Sequence, residues 1–332
     1  MYHKIVLKSV MAPKKLSFLL FLALTGMGQA QYTDVINSNR PGQSVSAYAV
    51  GRNVVQAEFG VLYEQRDHTD FNNESNILGA DLSLRYGLLL ENLEINYEGT
   101  FINQNLTFNN FGREETRTDF SRNRLGLKYL VYDPFKNPEA NKPNLYSWRA
   151  NHKFRFKNLL PAVSLYGGAT FNLGDNPFYP EDATISYRAM IATQSRLTPR
   201  WVLITNIAYD RISTDFPELS YIISVSHAFR NPKWSVFGEH QGIDSDRYSD
   251  ALIRGGIAHL FSPNFQADIS LGGSFKNTPS RMFVTTGLSY RLDFHKDQLI
   301  PINEEKPQTK ISRKSMKKKK RKKKKKDSTI DF

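Results

Sequence analysis

Hydrophobic and polar residues alternate with period two along most of the chain between residues 53 and 294. The clearest stretch, Thr184 to Phe229, gives three strands in succession. Ile185, Tyr187, Ala189 and Ile191 alternate with Ser186, Arg188 and Ala192. Trp201, Leu203, Thr205, Ile207 and Tyr209 alternate with Asn206 and Asp210, and Tyr221, Ile223 and Val225 with Ser220, Ser224 and Ser226. A strand with one apolar and one polar face separates two different environments. The connections are unequal: Leu197–Arg200 is tight, whereas Asp210–Glu218 is longer and acidic. Strands of about ten residues, joined alternately by short turns and longer polar loops, predict a transmembrane β-barrel.

Carried along the whole chain, this reading gives twelve antiparallel strands over residues 53–294. Their polar faces point inward and collect Glu58, Asp81, Arg85, Glu94, Glu98, Arg124, Lys128, Arg188, Glu239, Arg254, Asp268 and Arg291. The polar stretches 66–75 and 103–117 read as loops, and strand twelve reads as beginning at Val284. Residues 31–52 have no clean period and read as a periplasmic lead-in. Residues 133–160, rich in Pro, Asn and Lys, interrupt the rhythm and read as a periplasmic insertion. An even strand number puts both termini on the periplasmic side, and closure leaves no free strand edge.

The ends of the chain agree with that compartment. Lys14 and Lys15 precede the apolar run Leu16–Leu24, and Gly28-Gln29-Ala30 offers small residues before a cut, so residues 1–30 read as a secretory signal cleaved after Ala30. Met11 is an alternative start. There is no cysteine, which excludes disulfides and a lipidated cysteine, and no other segment approaches ~18 consecutive apolar residues. The formal net charge of +13 is unevenly placed. The tail Pro307–Phe332 carries +11 and the signal region +4, leaving −2 for Gln31–Lys306. The unbroken cationic run Lys317–Lys326 makes residues 295–332 a disordered tail by composition. Behind a signal peptide, its expected partners are anionic cell-wall or membrane groups rather than nucleic acid.

Asn39-Arg40-Pro41-Gly42 ahead of strand one and Asp175-Asn-Pro-Phe-Tyr-Pro180, together with the twelve-strand body, resemble a family of bacteroidete outer-membrane transporters of the MetA-pathway of phenol degradation type. The resemblance covers roughly Tyr32–Phe294. It implies a barrel and passage of small compounds, aromatic ones among them, and brings no catalytic or binding residues. The polylysine tail is not part of the pattern.

Two readings of the inward charges stand side by side: a salt-bridge lattice that fills the barrel, and a polar constriction along a solute path. Arg85, Glu94, Arg124 and Lys128 fall near the periplasmic strand ends. Glu58, Asp268 and Arg291 converge where strand twelve meets strand one, so Arg291 is expected to pair with one of the two carboxylates. Chemistry finds little footing. His227 and His259 lie on the outward register with no paired serine or carboxylate, and His152 lacks a second ligand at metal spacing. No glycine-rich phosphate loop opens a helix. The expectation is a cofactor-free outer-membrane channel for small solutes, not an enzyme. The alternative is a structural protein tethered to the cell wall by its tail.

Overall fold

The computed structural model describes residues 35–136, 145–147, 149 and 156–295. The signal region, nearly all of the tail including Lys317–Lys326, most of the 133–160 insertion, and Trp148, His152 and Phe154 lie outside the described residues.

Twelve antiparallel strands among the described residues close into a barrel, each paired with its sequence neighbours and the last with the first. They are β1 (Val54–His68), β2 (Asn73–Gly87), β3 (Leu93–Phe108), β4 (Arg113–Tyr132), β5 (Ala162–Phe171) and β6 (Ile185–Arg196). Next come β7 (Trp201–Ile212), β8 (Glu218–Ala228), β9 (Trp234–Ser245), β10 (Asp250–Ser262), β11 (Phe265–Ser274) and β12 (Ser280–Asp293). The β1–β12 seam is fully registered from Val54↔Asp293 to Asp67↔Ser280, so no edge is left to recruit another chain. One barrel end carries the short turns 88–92, 197–200, 229–233 and 263–264 together with the 133–161 connection; the other carries the remaining loops.

The period-two alternation sorts as expected. Phe59, Val61 and Tyr63 of β1, Ile269 and Leu271 of β11, and Val284, Leu288 and Tyr290 of β12 all face outward and are exposed. Between them Glu58, Glu64, Asp268 and Ser289 turn inward and are buried. That inversion, greasy outside and charged inside, suits a barrel whose outer solvent is hydrocarbon. Near the short turns the outer surface carries aromatic pairs, with Trp201 against His227 and Trp234 against His259 at ring-centroid distances of 4.3 and 4.2 Å. Both histidines sit in this girdle as aromatic partners.

The structure differs from the sequence reading in three respects. Residues 66–75 and 103–117 are largely strand, with Asp67↔Glu74 and Leu106↔Glu115 still in register. Strand β12 likewise begins at Ser280, ahead of Val284. Apolar alternation stops where the hydrocarbon belt stops. Ladder hydrogen bonds continue beyond it between strand ends whose side chains are mostly polar. The third difference concerns the approach to β1: residues 36–50 do not stop short of the barrel but run inside it.

Candidate functional site

The segment 36–50 is threaded into the lumen by hydrogen bonds that the inward side chains of the wall make mainly to its backbone. Ile36 N–H donates to Pro263 O at the rim (2.8 Å). Glu239 of β9 accepts from Gln43 N–H and Ser44 N–H at 3.1 and 3.0 Å. Asn206 of β7 clasps Val45 from both sides, accepting from its N–H at 2.7 Å and donating to its carbonyl at 2.9 Å. Nearer β1, Glu94 accepts from Val50 N–H at 2.8 Å, while Lys128 Nζ donates to the carbonyls of Ser46 and Tyr48 at 3.0 and 3.1 Å. Ala47 and Tyr48 also pack on Leu130 and Ala162 of the wall.

The wall charges at this level balance one another. Arg85 grips Glu94 with two bonds of 2.9 Å each, and Lys128 Nζ lies 3.1 Å from the same carboxylate. All three side chains are fully buried. Arg85 also donates to Asn37 O at 2.8 Å and approaches Glu58 at 3.5 Å. Buried charges persist only when paired and hydrogen-bonded, and here the segment's backbone completes the satisfaction.

Arg40 is the one charged residue between positions 35 and 50. Its guanidinium makes a two-pronged contact with Asp268 of β11, at 3.2 and 3.1 Å. The groove it lies in is cut by glycine. Gly287 of β12 is registered with both Asp268 and Gly60 of β1, and a Cβ at either glycine would collide with the Arg40 guanidinium. Gly42 serves the same closeness on the other side, where a Cβ would stand 2.6 Å from a Glu239 carboxylate oxygen.

Beyond the segment, toward the long loops, lies a cavity of about 590 Å³ whose lining includes Asn39, Arg40, Gly42, Gln43 and Val45. Its wall on β3–β7 is ionic: Arg124 donates to Glu98 at 3.3 Å and to Asp210 at 2.9 Å, and Arg188 meets the second oxygen of Asp210 at 2.5 Å. The opposite wall includes buried apolar side chains, Ile77, Leu252 and Phe283, with the Arg254 guanidinium 5.1 Å from the Phe283 ring centre. Phe178 and Tyr179 of the 172–184 loop also line the cavity. Tyr179 is held between Arg211 and Arg247 at 5.1 and 4.8 Å, and Arg247 pairs with Asp182 at 2.7 Å. On the same rim Tyr248 donates to Asp250; burial pushes its phenol up to about 12, Arg281 pulls it back, and the bond to Asp250 adds to the rise.

Eleven of the twelve residues picked out by alternation therefore fall on two levels, with Arg291 apart from both. Glu58, Arg85, Glu94, Lys128, Glu239 and Asp268 hold the lumenal segment. Asp81, Glu98, Arg124 and Arg188 line the cavity, with Asp81 accepting from Thr100 at 2.7 Å, and Arg254 joins the two levels through Glu239 at 2.8 Å. The expected seam pairing is corrected. Asp268 pairs with Arg40 and Glu58 meets Arg85, whereas Arg291 reaches Asn264 at 3.0 Å and Asp293 at 3.8 Å. The register puts Arg291 opposite Gln56, one inward place below Glu58, and the nearer partners there are at the rim. Sequence reasoning meets Arg40 only in the motif that carries the family resemblance, because its segment has no period, and misses Arg281, which lies ahead of the alternation that opens at Val284. It also left out Glu64 and Asp210, although both stand on polar faces. Glu64 bonds to Arg281 and Arg66 at 2.5 and 2.7 Å.

Among the described residues no cluster of His, Asp or Glu is arranged to hold a metal ion. A closed antiparallel barrel, apolar outside and charged inside, with its own chain drawn into the lumen, is an outer-membrane barrel with a partly filled interior. Residues 38–292 match the family model of the MetA-pathway of phenol degradation, and the chain belongs to that family. No curated protein matches it in sequence. Solved structures similar to it include an outer membrane channel from Pseudomonas putida F1, at 10% identity and a TM-score of 0.49, covering 77% of this chain and 100% of that one. The NanC porin gives 10% identity and a TM-score of 0.44, covering 70% and 100% of the two chains. The CymD monoaromatic hydrocarbon channel gives 10% and 0.39, covering 74% and 90%.

Proposed function

We propose that the protein passes small solutes across the outer membrane through its lumen, without a cofactor and without a chemical step. The observation that carries this is the cavity of about 590 Å³, enclosed by an apolar-belted barrel yet lined by ionised side chains. Such a lining stabilises water and polar solute at the depth of the hydrocarbon. Phe178, Tyr179 and Phe283 beside the arginines suit a small aromatic or otherwise amphipathic solute, able to stack on a ring and present a polar group to a guanidinium. In this reading the short-turn end and both termini face the periplasm, after removal of residues 1–30.

Reconstitution into planar bilayers tests the reading. Discrete conductance steps are expected from protein whose folding has been verified by its altered gel migration before boiling. Folded protein that inserts and stays electrically silent, with no leak of small aromatic solutes from loaded vesicles, would end it. The ten consecutive cations Lys317–Lys326 support a second role, attachment to anionic cell wall. Truncation after Lys306 should then abolish salt-sensitive retention on purified wall while leaving conductance unchanged.

A further inference from the structure

The wall holds the lumenal segment through two kinds of contact, and they differ in what can replace them. Glu239, Asn206, Glu94 and Lys128 address mostly peptide N–H and carbonyl groups. Water makes the same bonds at nearly the same strength in a hydrated lumen. Arg40 is different. It supplies the segment's single charge, and its partner Asp268 has a side chain with no exposure of its own. It lies in a notch that the wall makes by giving up side chains on two facing strands, Gly60 and Gly287. A charge-assisted, two-pronged contact in a fitted recess has a fixed geometry that water does not copy.

We propose that Arg40 is a latch, and that the segment 36–50 leaves the lumen as a unit when Arg40 comes out of the Gly60–Gly287 notch. The latched state is the closed one, because the segment fills the short-turn half of the barrel. Release exposes Ala47, which in the latched state has no exposure and packs against Leu130 and Ala162. The consequence for solute flow rests on the channel reading; the latch itself does not.

The chain has no cysteine, so Ala47→Cys in the full-length protein provides a single reporter thiol. The rate of maleimide labelling in detergent micelles reports how often the segment leaves, with folded barrel confirmed by gel migration. Arg40→Ala should raise that rate by about tenfold or more, the scale of one lost charge-assisted bond. Gly60→Ala leaves Arg40 and Asp268 chemically intact but fills the notch, and should raise it too. Because both act through one contact, the double variant should label no faster than Arg40→Ala alone. The latch is overturned if either single change leaves the rate unaltered, or if the two effects multiply as independent sites do. Faster labelling in a protein that never conducts would keep the latch and remove the channel reading. Conductance with the wild-type labelling rate in every variant would do the reverse.

Discussion

At the scale of single residues, the lumen is governed by which charges lose water. Glu94 holds two cations, Arg85 and Lys128, and all three side chains are completely buried. Replacing Glu94 with Gln leaves both cations facing each other in a dry site. Removing one member of such a set costs on the order of 3–5 kcal/mol. The temperature at which the folded form converts on a detergent gel should fall sharply. Glu115→Gln, which breaks contacts with the largely exposed Arg113 and the partly exposed Arg117, should barely move it, because surface pairs contribute ~1 kcal/mol or less. Equal shifts for the two variants would show that the Glu94 site is hydrated. The sequence made Glu94, Arg85 and Lys128 visible, since each occupies an inward place near one barrel end. It could not show that Asp268 belongs to Arg40, because the partner comes from an aperiodic stretch and lies 228 positions away. Alternation reports facing, and pairing between strands and an inserted segment leaves no trace in it.

At the scale of elements, strand number and facing were legible because hydrocarbon outside and polar lumen inside act on every second residue. Strand length was not. In β4 the outer half, Arg113–Thr118, is polar on both faces, and in β3 the facing half, Asn103–Phe108, is polar apart from Leu106 and Phe108, yet the two keep their ladder. This extension adds no apolar contact with the hydrocarbon belt, and its tip turns through Gly112 at φ +57° beside the exposed Phe111. Cleavage there should cost little. Brief trypsin treatment is expected to cut after Arg113, whose side chain is 71% exposed, and to leave both fragments migrating together as folded barrel until boiled. If the nicked protein unfolds at once, the extension is part of what holds the barrel closed. The lumenal segment is the opposite case, an element with no regular structure whose removal would empty half the lumen. Its single glycine, its proline and its run of Asn, Ser and Gln resemble those of an ordinary surface linker, so no period marks it as internal.

At the scale of the whole molecule, the cavity is bounded at both ends, by the segment 36–50 on one side and by the 172–184 loop on the other. The two boundaries are built differently. The segment is held by buried wall charges along its length, whereas the loop is pinned through Tyr179 between two arginines and through Asp182. Resistances in series add, so the narrower barrier sets the current. The segment crosses the lumen where Arg85, Glu94 and Lys128 are wholly buried, and that level is therefore the tighter one. Deleting residues 36–50 should raise single-channel conductance several-fold, since the vacated charges become hydrated walls of a wider pore. Deleting residues 174–182 alone should change the step size little, because ions still meet the segment, although it should shorten the residence of solutes in the cavity. Combined, the deletions should give the largest and steadiest current. A loop deletion that by itself matches the segment deletion would place the narrow point at the long-loop mouth and leave the lumenal segment as packing rather than as the barrier.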